Sequence, residues 1–201
     1  MEKLNVGIFL FDDVEVLDFA GPFEVLSRTR TVPGAESRRS EDSAPFRVFT
    51  VAKTKQKIRA IGDLIVEPKY SFADAPRIDI LVVPGGWGSR AAMQDPEVLA
   101  WVKSVAATAK FTSSVCTGAL ILARAGLLAG RRATTHWAAH DLLASLDGGV
   151  NVIRDARVVQ DEVFTSAGVS AGIDMAFALV EEICGPAVAD ETAHYIEYPR
   201  H

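Results

Sequence analysis

The chain lacks most of the features that announce a function. Its 201 residues include only two cysteines and four histidines, and none falls at the close spacing that zinc ligands require. There is no Gly-Lys-Ser/Thr phosphate loop and no dinucleotide fingerprint, so neither a metal nor an organic cofactor is expected. Positive charge is not in excess: 21 Lys and Arg against 26 Asp and Glu give a formal charge of −5. With no basic stripe on any expected helix, that balance argues against a nucleic-acid footprint. No uncharged run approaches the ~20 residues needed to span a bilayer, and no positively charged leader precedes the first strand-like segment. The expectation is a cytoplasmic protein with neither nucleic-acid nor membrane partners. Nothing points to an oxidising compartment, so a disulfide between Cys116 and Cys184 has little to motivate it.

What is present is an ordinary globular composition, 49% hydrophobic and 23% charged, in a length that suits one domain over residues 1–201. Apolar β-rich runs at Leu4–Phe11, Phe46–Ala52, Ile78–Val83 and Phe111–Val115 read as buried strands. Val150–Ile153, Ala156–Gln160 and Val163–Ser166 form a last group of strands, and Lys57–Ala60 with Leu64–Glu67 reads as a small hairpin. Helical spacing covers Val16–Arg28, with Pro22 placed in a first turn, then Pro96–Ala109, Thr117–Leu128, Trp137–Ser145, Val169–Ile183 and Ala187–Ile196. Arg28–Pro45 is polar and aperiodic, and reads as a long, mobile surface loop. Alternating strands and helices imply a three-layer α/β sandwich with a mostly parallel, flavodoxin-like central sheet. In such sheets a site lies beyond the carboxyl ends of the strands. Three of those ends carry unusual residues: Asp12–Asp18, Pro84–Gly88 and Cys116-Thr117.

Chemistry concentrates at the third. In Ser114-Val115-Cys116-Thr117-Gly118-Ala119 a strand meets one cysteine and then small residues that open a helix, the pattern of a nucleophile elbow. A helix N-terminus favours thiolate over thiol, which makes Cys116 the candidate nucleophile, against the alternative of a buried structural cysteine. Asp18 reads either as a helix-capping carboxylate or as a carboxyl brought near the Cys116 sulfur, where repulsion raises both pKa values and allows a shared proton. Pro84-Gly85-Gly86-Trp87-Gly88 is either a tight turn or a loop whose Gly85 and Gly86 amides face developing negative charge. Trp87 either walls an apolar pocket or covers the loop. The Thr117 amide is the elbow's oxyanion donor, and its hydroxyl either holds a water or substrate atom or caps the helix. His136 is a base, a dimer contact or a core histidine; His140 and Asp141 read as solvated, and His194 with Glu197 as a surface pair on the last helix.

These motifs carry a resemblance. Leu17-Asp18-Phe19-Ala20-Gly21-Pro22, Val83-Pro84-Gly85-Gly86, Ser114-Val115-Cys116-Thr117-Gly118, the run from Gly126 to Trp137 and the run from Ser166 to Asp174 together identify the chain as similar to the ThiJ/PfpI superfamily, on the class I glutamine amidotransferase-like fold. The resemblance runs from Leu4 to about Tyr198. Within the superfamily the motifs are most similar to isonitrile hydratases and to the sensor halves of AraC-type regulators. Peptidase-like members carry a histidine where this chain has Thr117. Amidotransferases space a histidine and glutamate two apart where His194 and Glu197 are three apart. Glyoxalase-like members use a glutamate where Asp18 stands.

The resemblance implies hydration of an isonitrile to an N-substituted formamide through a cysteine thioimidate, with Cys116, Asp18 and Thr117 catalytic; the residue reading adds Gly85, Gly86, Trp87 and His136 as the candidates for oxyanion and substrate binding. It implies no cofactor or metal, a small-molecule substrate and a homodimer. The long 28–45 segment and an end at Tyr198-Pro199-Arg200-His201 depart from the pattern and leave the pocket's shape open. Two other readings stand beside this one: a non-catalytic small-molecule sensor, and glyoxalase- or deglycase-like activity on small aldehydes. A chain ending at 201 has no room for a helix-turn-helix module, so direct DNA binding is not expected.

Overall fold

The structure, a computed structural model, describes residues 2–146 and 148–200; Met1, Asp147 and the last of the four C-terminal residues quoted above, His201, lie outside the described residues. The strands are β1 (Leu4–Phe9), β2 (Phe46–Ala52), β3 (Ile58–Arg59), β4 (Ile65–Val66), β5 (Tyr70–Ser71), β6 (Ile80–Val83), β7 (Phe111–Val115), β8 (Arg132–Ala133), β9 (Asn151–Val152), β10 (Val158–Gln160) and β11 (Val163–Ser166). The α-helices are α1 (Val16–Arg28), α2 (Ser89–Ala92), α3 (Pro96–Ala106), α4 (Gly118–Arg124), α5 (His140–Ser145), α6 (Ala171–Cys184) and α7 (Pro186–Tyr195). Seven strands form one sheet in the order β10-β11-β7-β6-β1-β2-β5, parallel throughout except for the antiparallel pair β10–β11.

Both faces of the sheet are covered by apolar side chains, because β6 is hydrophobic at every position and β1 at Leu4, Val6, Ile8 and Phe9. Val6 and Ile8 of β1 with Ile80 and Val82 of β6 turn to one face, against Val25 of α1, Met175 and Val180 of α6 and Ala189 of α7. Phe9, Leu81 and Val83 turn to the other, against Val98 and Val102 of α3, Leu120 of α4 and Leu143 of α5. Alternate residues of one strand thus feed two cores, the behaviour of a sheet covered on both sides. The chain runs from β1 outward to β2 and β5, then returns to β6 on the other flank of β1. That reversal opens a crevice beyond the carboxyl ends of β1 and β6, where α/β folds place ligands.

Several boundaries move for identifiable reasons. The helix after the elbow stops at Arg124, because Gly126 at φ +79 breaks it before Gly130. The segment expected to be helical from Trp137 begins as a 3-10 turn, and α5 starts at His140. Pro22 lies in the second turn of α1, not the first; it removes the amide that would bond the Asp18 carbonyl, and the helix continues past it.

The largest correction concerns residues 28–45, which are not a mobile loop. They contain a 3-10 helix, Ala35–Arg39, organised around two buried arginines. The Arg30 side chain is fully buried and donates to the carbonyls of Ser27 (2.8 Å), Thr29 (2.9 Å), Ser37 (3.2 Å) and Ser40 (3.0 Å), and to the Glu41 carboxylate (2.6 Å). Arg38 forks onto Glu191 of α7, and its guanidinium stacks 4.5 Å from the Tyr195 ring centroid. Polar composition reads as a loop; here it supplies the cations that close the loop's own carbonyls. Replacing Arg30 by Met leaves those carbonyls unsatisfied, each worth about 1 kcal/mol. Urea denaturation of Arg30→Met is expected to show a loss of about 4 kcal/mol of unfolding free energy. A loss under ~0.5 kcal/mol would mean the clasp is incidental.

Candidate active site

Strand β7 delivers Cys116 at φ +55, a left-handed conformation that a non-glycine residue holds only when its surroundings impose it. Three contacts do so. The Cys116 amide donates to the carbonyls of Ser166 (3.2 Å) and Ala167 (3.1 Å), and the buried Thr135 hydroxyl donates to the Cys116 carbonyl at 2.7 Å. Thr135 is itself held through its carbonyl, 3.2 Å from Nε2 of His140. His140 is therefore a buried support and not the solvated residue expected from the sequence. Gly118 completes the elbow: a Cβ there would lie 2.0 Å from the Val83 carbonyl oxygen, so only glycine lets α4 start against the end of β6.

Asp18 comes from α1 and is fully buried. It is the third residue of the helix and does not cap it, since Glu15 holds the N-cap position. Oδ2 accepts the Gly85 amide at 2.9 Å; Oδ1 makes no conventional hydrogen bond. Burial pushes the Asp18 carboxyl up to about 7, with Glu15's charge adding to the rise and the Gly85 amide and the Cys116 thiol opposing it. Burial likewise pushes the Cys116 thiol up to about 12, followed by the negative charge of Asp18, while the amides of Thr117 and Val169 work the other way. The expectation of a thiol biased toward thiolate by its helix is thus reversed in direction. A seven-residue α4 does not outweigh desolvation beside a carboxyl group. The pair behaves as one unit, in which a proton on either member relieves both.

The glycine loop serves this pair. The Gly85 amide holds Asp18, and the Gly86 amide donates to Thr117 Oγ1 at 3.0 Å. Both N–H groups are engaged by side chains of the site and do not face the open cavity. A Cβ on Gly85 would stand 2.5 Å from the Thr117 amide nitrogen and 3.0 Å from Asp18 Oδ2. The Thr117 hydroxyl is also engaged, with Ser89 Oγ at 2.9 Å and the Gly86 carbonyl at 3.1 Å, so it braces the loop. The amides turned toward the sulfur are those of Thr117 and Val169.

Val169 is the functional position that the sequence did not reveal. It follows β11 at φ +52, a conformation disfavoured for a β-branched side chain, and its amide opposes the rise of both the Cys116 thiol and the Asp18 carboxyl. The signal was the run of small residues Ala167-Gly168 directly after a strand paired with β7. Because Val169 is left-handed, α6 begins at Ala171 and not at 169.

A cavity of about 310 Å³ opens onto this centre, lined by Glu15, Gly86, Trp87, Arg90, Cys116, Thr117, His136, Trp137, Ala138 and Val169. Trp87 and Trp137 are 72% and 77% exposed at its mouth; Trp87 walls the opening and does not cover the loop. The His136 ring packs on Gly168, where a Cβ would come within 2.2 Å of Cδ2. Its Nδ1 accepts the Ala138 amide at 3.2 Å. Burial, then the charge of Arg90, push His136 down, so the ring is neutral with its proton on Nε2. His194 and Glu197 line a separate depression beside Gly34 and Tyr198; α7 has ended before Glu197, which is left-handed at φ +54. Cys184 is a free thiol, half-buried at the end of α6. Among the described residues no three His, Cys, Asp or Glu side chains are grouped to hold a metal ion.

The raised Asp18 value has a consequence for stability. The carboxyl titrates at 3.8 when free and about 7 when folded. Its protonated form therefore favours the folded state fully below the unfolded value, and that contribution is lost as pH rises through about 7. The wild type is expected to lose on the order of 4 kcal/mol between pH 4 and pH 8 from this residue. In urea titrations Asp18→Asn should match the wild type near pH 4 and exceed it at pH 8. A difference of the same size at both pH values would contradict the assignment.

The chain and its fold have relatives among known proteins. The chain is 39% identical over 196 residues to the isonitrile hydratase of Pseudomonas putida, covering 97% of this chain and 78% of that protein. It is 26% identical over 198 residues to the HTH-type transcriptional regulator GbdR of Pseudomonas aeruginosa, spanning 98% of this chain and 51% of the regulator. A ThiJ/PfpI family protein from Pseudomonas syringae superposes with a TM-score of 0.85 at 32% identity, over 100% of this chain and 77% of that one. DJ-1beta of Drosophila melanogaster shares the fold, with a TM-score of 0.81 at 21% identity over 98% of this chain and all of its own. The profile of the DJ-1/PfpI family matches residues 5–182, and the chain belongs to that family.

Proposed function

We propose that the protein is an isonitrile hydratase, a lyase that adds water to R–N≡C to give R–NH–CHO. The observation that carries this reading is a buried carboxyl group, raised to about 7, beside an equally buried thiol in an open cavity. Such a pair keeps one proton between an acid and a nucleophile at neutral pH. The 39% identity to the Pseudomonas putida hydratase supports the same choice over the aldehyde chemistry of glyoxalase-like members.

Cys116 is the nucleophile and Asp18 the proton carrier. The thiol proton passes to Asp18 and from it to the terminal carbon of the isonitrile as the carbon–sulfur bond forms, leaving R–N=CH–S–Cys116. Asp18, now ionised, takes a proton from water as its oxygen adds to that carbon, and the proton moves on to the nitrogen. The hydroxyl proton of the adduct goes to sulfur as the carbon–sulfur bond breaks, releasing the formamide and restoring the thiol. The amides of Thr117 and Val169 stabilise charge on sulfur. Because the Thr117 hydroxyl is engaged with Gly86 and Ser89, water activation falls to Asp18. Neutral His136 lines the path of the substrate. No cofactor enters this sequence, and a cytoplasmic homodimer acting on a small molecule belongs to the same proposal.

The similarity to GbdR favours a second reading, in which the same cavity binds a ligand without turnover. Formamide release from a simple alkyl isonitrile, followed by chromatography, separates the two. Turnover is expected in the wild type and a loss of at least ~1000-fold in Cys116→Ala and Asp18→Asn. The reactive state holds one proton on the pair, so kcat/KM should rise as pH increases through about 7. A folded wild type that releases no formamide across that range would remove the hydratase reading and favour the sensor.

A further inference from the structure

We propose that the substrate of this cavity carries a carboxylate and that Arg90 is the residue that binds it. The proposal rests on the hydratase reading for the reacting end of the substrate alone; the anion site stands on its own geometry.

Arg90 belongs to α2, directly after the glycine loop. Its Nη1 donates to the Gly86 carbonyl at 3.2 Å, and its guanidinium stacks 4.8 Å from the centre of the Trp87 ring. These two contacts hold the planar cation at the rim of the cavity that contains Cys116. Among the described residues no carboxylate lies within 4.0 Å of it. Three covered arginines elsewhere are paired: Arg30 with Glu41, Arg38 with Glu191, and Arg200 with Glu181 and Asp190. Arg28 is half-buried and, among the described residues, has no ion pair, but it does not line this cavity. A fixed, half-buried guanidinium without a counter-ion is an unfilled carboxylate fork.

Glu15 is the carboxylate on the same cavity wall, and it does not cancel Arg90. It stands at the N-cap of the 13-residue α1, where the helix field already offsets a negative charge, and it is not ion-paired with Arg90. His136 adds a donor. Its Nδ1 is taken by the Ala138 amide, which leaves Nε2–H as its free polar edge. The exposed indoles of Trp87 and Trp137 give an apolar body something to lie against. A cavity of about 310 Å³ is at the lower end of small-ligand sites, so the substrate class is a compact isonitrile with an anionic tail.

The test compares 4-isocyanobutanoate, supplied as its potassium salt, with its methyl ester. A partly desolvated charged hydrogen bond implies a kcat/KM for the acid about tenfold or more above that of the ester, expressed mainly in KM. In Arg90→Met the acid-to-ester ratio should collapse to about one, and Arg90→Lys should restore part of it. Equal kcat/KM for acid and ester in the wild type overturns the proposal. So does an Arg90→Met variant that loses both substrates in the same proportion, since that is the behaviour of a merely structural brace on Trp87. The corresponding product, N-formyl-4-aminobutanoate, and its methyl ester are titrated against tryptophan fluorescence in parallel. Selective, Arg90-dependent binding of the acid without turnover of either isonitrile sinks the hydratase reading and sustains the anion site. Turnover without any preference between acid and ester does the reverse.

Discussion

The burial of Asp18 against Cys116 is the interaction on which the rest of the structure depends. An isolated carboxyl in a dry interior is costly, and it persists only where a proton, a donor or an opposite charge compensates. Here the compensation comes from one glycine amide and from the thiol that shares the proton. With the carboxyl raised to about 7 and the thiol to about 12, the pair carries two protons below pH 7 and one above it, and in the one-proton state either member ionises as the other takes the proton. In the proposed reaction, reactivity is held in the coupling of the two groups and not in a thiol that is activated by itself.

That coupling explains why four loops from different strand ends converge. The helix after β1 brings Asp18, the loop after β6 brings the amide that holds it, β7 brings the strained cysteine, and the turn after β11 brings the Val169 amide that opposes the rise of both. Each strand end is fixed by a core that is apolar on both faces of the sheet. The energy needed to hold left-handed backbone at Cys116 and Val169 is thereby drawn from burial far from the chemistry. Thr135 and His140 extend the same support outward, locking the carbonyl of the elbow.

Much of this was legible in the residues. The buried strand β6 announces itself by an unbroken apolar run and β1 by a largely apolar one, and the elbow by a strand, a cysteine and small residues in succession. Asp18 was legible as a partner for the sulfur because it shares an end of the sheet with Cys116. What was hidden depends on tertiary burial. The direction of the thiol shift follows from desolvation, which outweighs a short helix. Val169 was hidden because nothing in a valine reports a left-handed backbone. Thr117 was misjudged in part, since its hydroxyl has partners that only the folded glycine loop supplies. Residues 28–45 looked mobile because Arg30 and Arg38 are polar; in the fold they are covered by the carbonyls and carboxylates they satisfy.

Infrared spectroscopy of the carboxyl stretch as a function of pH, taken as the difference between wild type and Asp18→Asn, observes the Asp18 proton directly. The expected result is one protonated-carboxyl band that persists well above the ordinary carboxylate range and disappears only near pH 7. It should shift in frequency, yet keep a raised midpoint, in Cys116→Ala, because burial is the largest cause of the rise. A band already lost by pH 5 in the wild type would contradict the claim that burial against Cys116 keeps the Asp18 carboxyl protonated up to about pH 7.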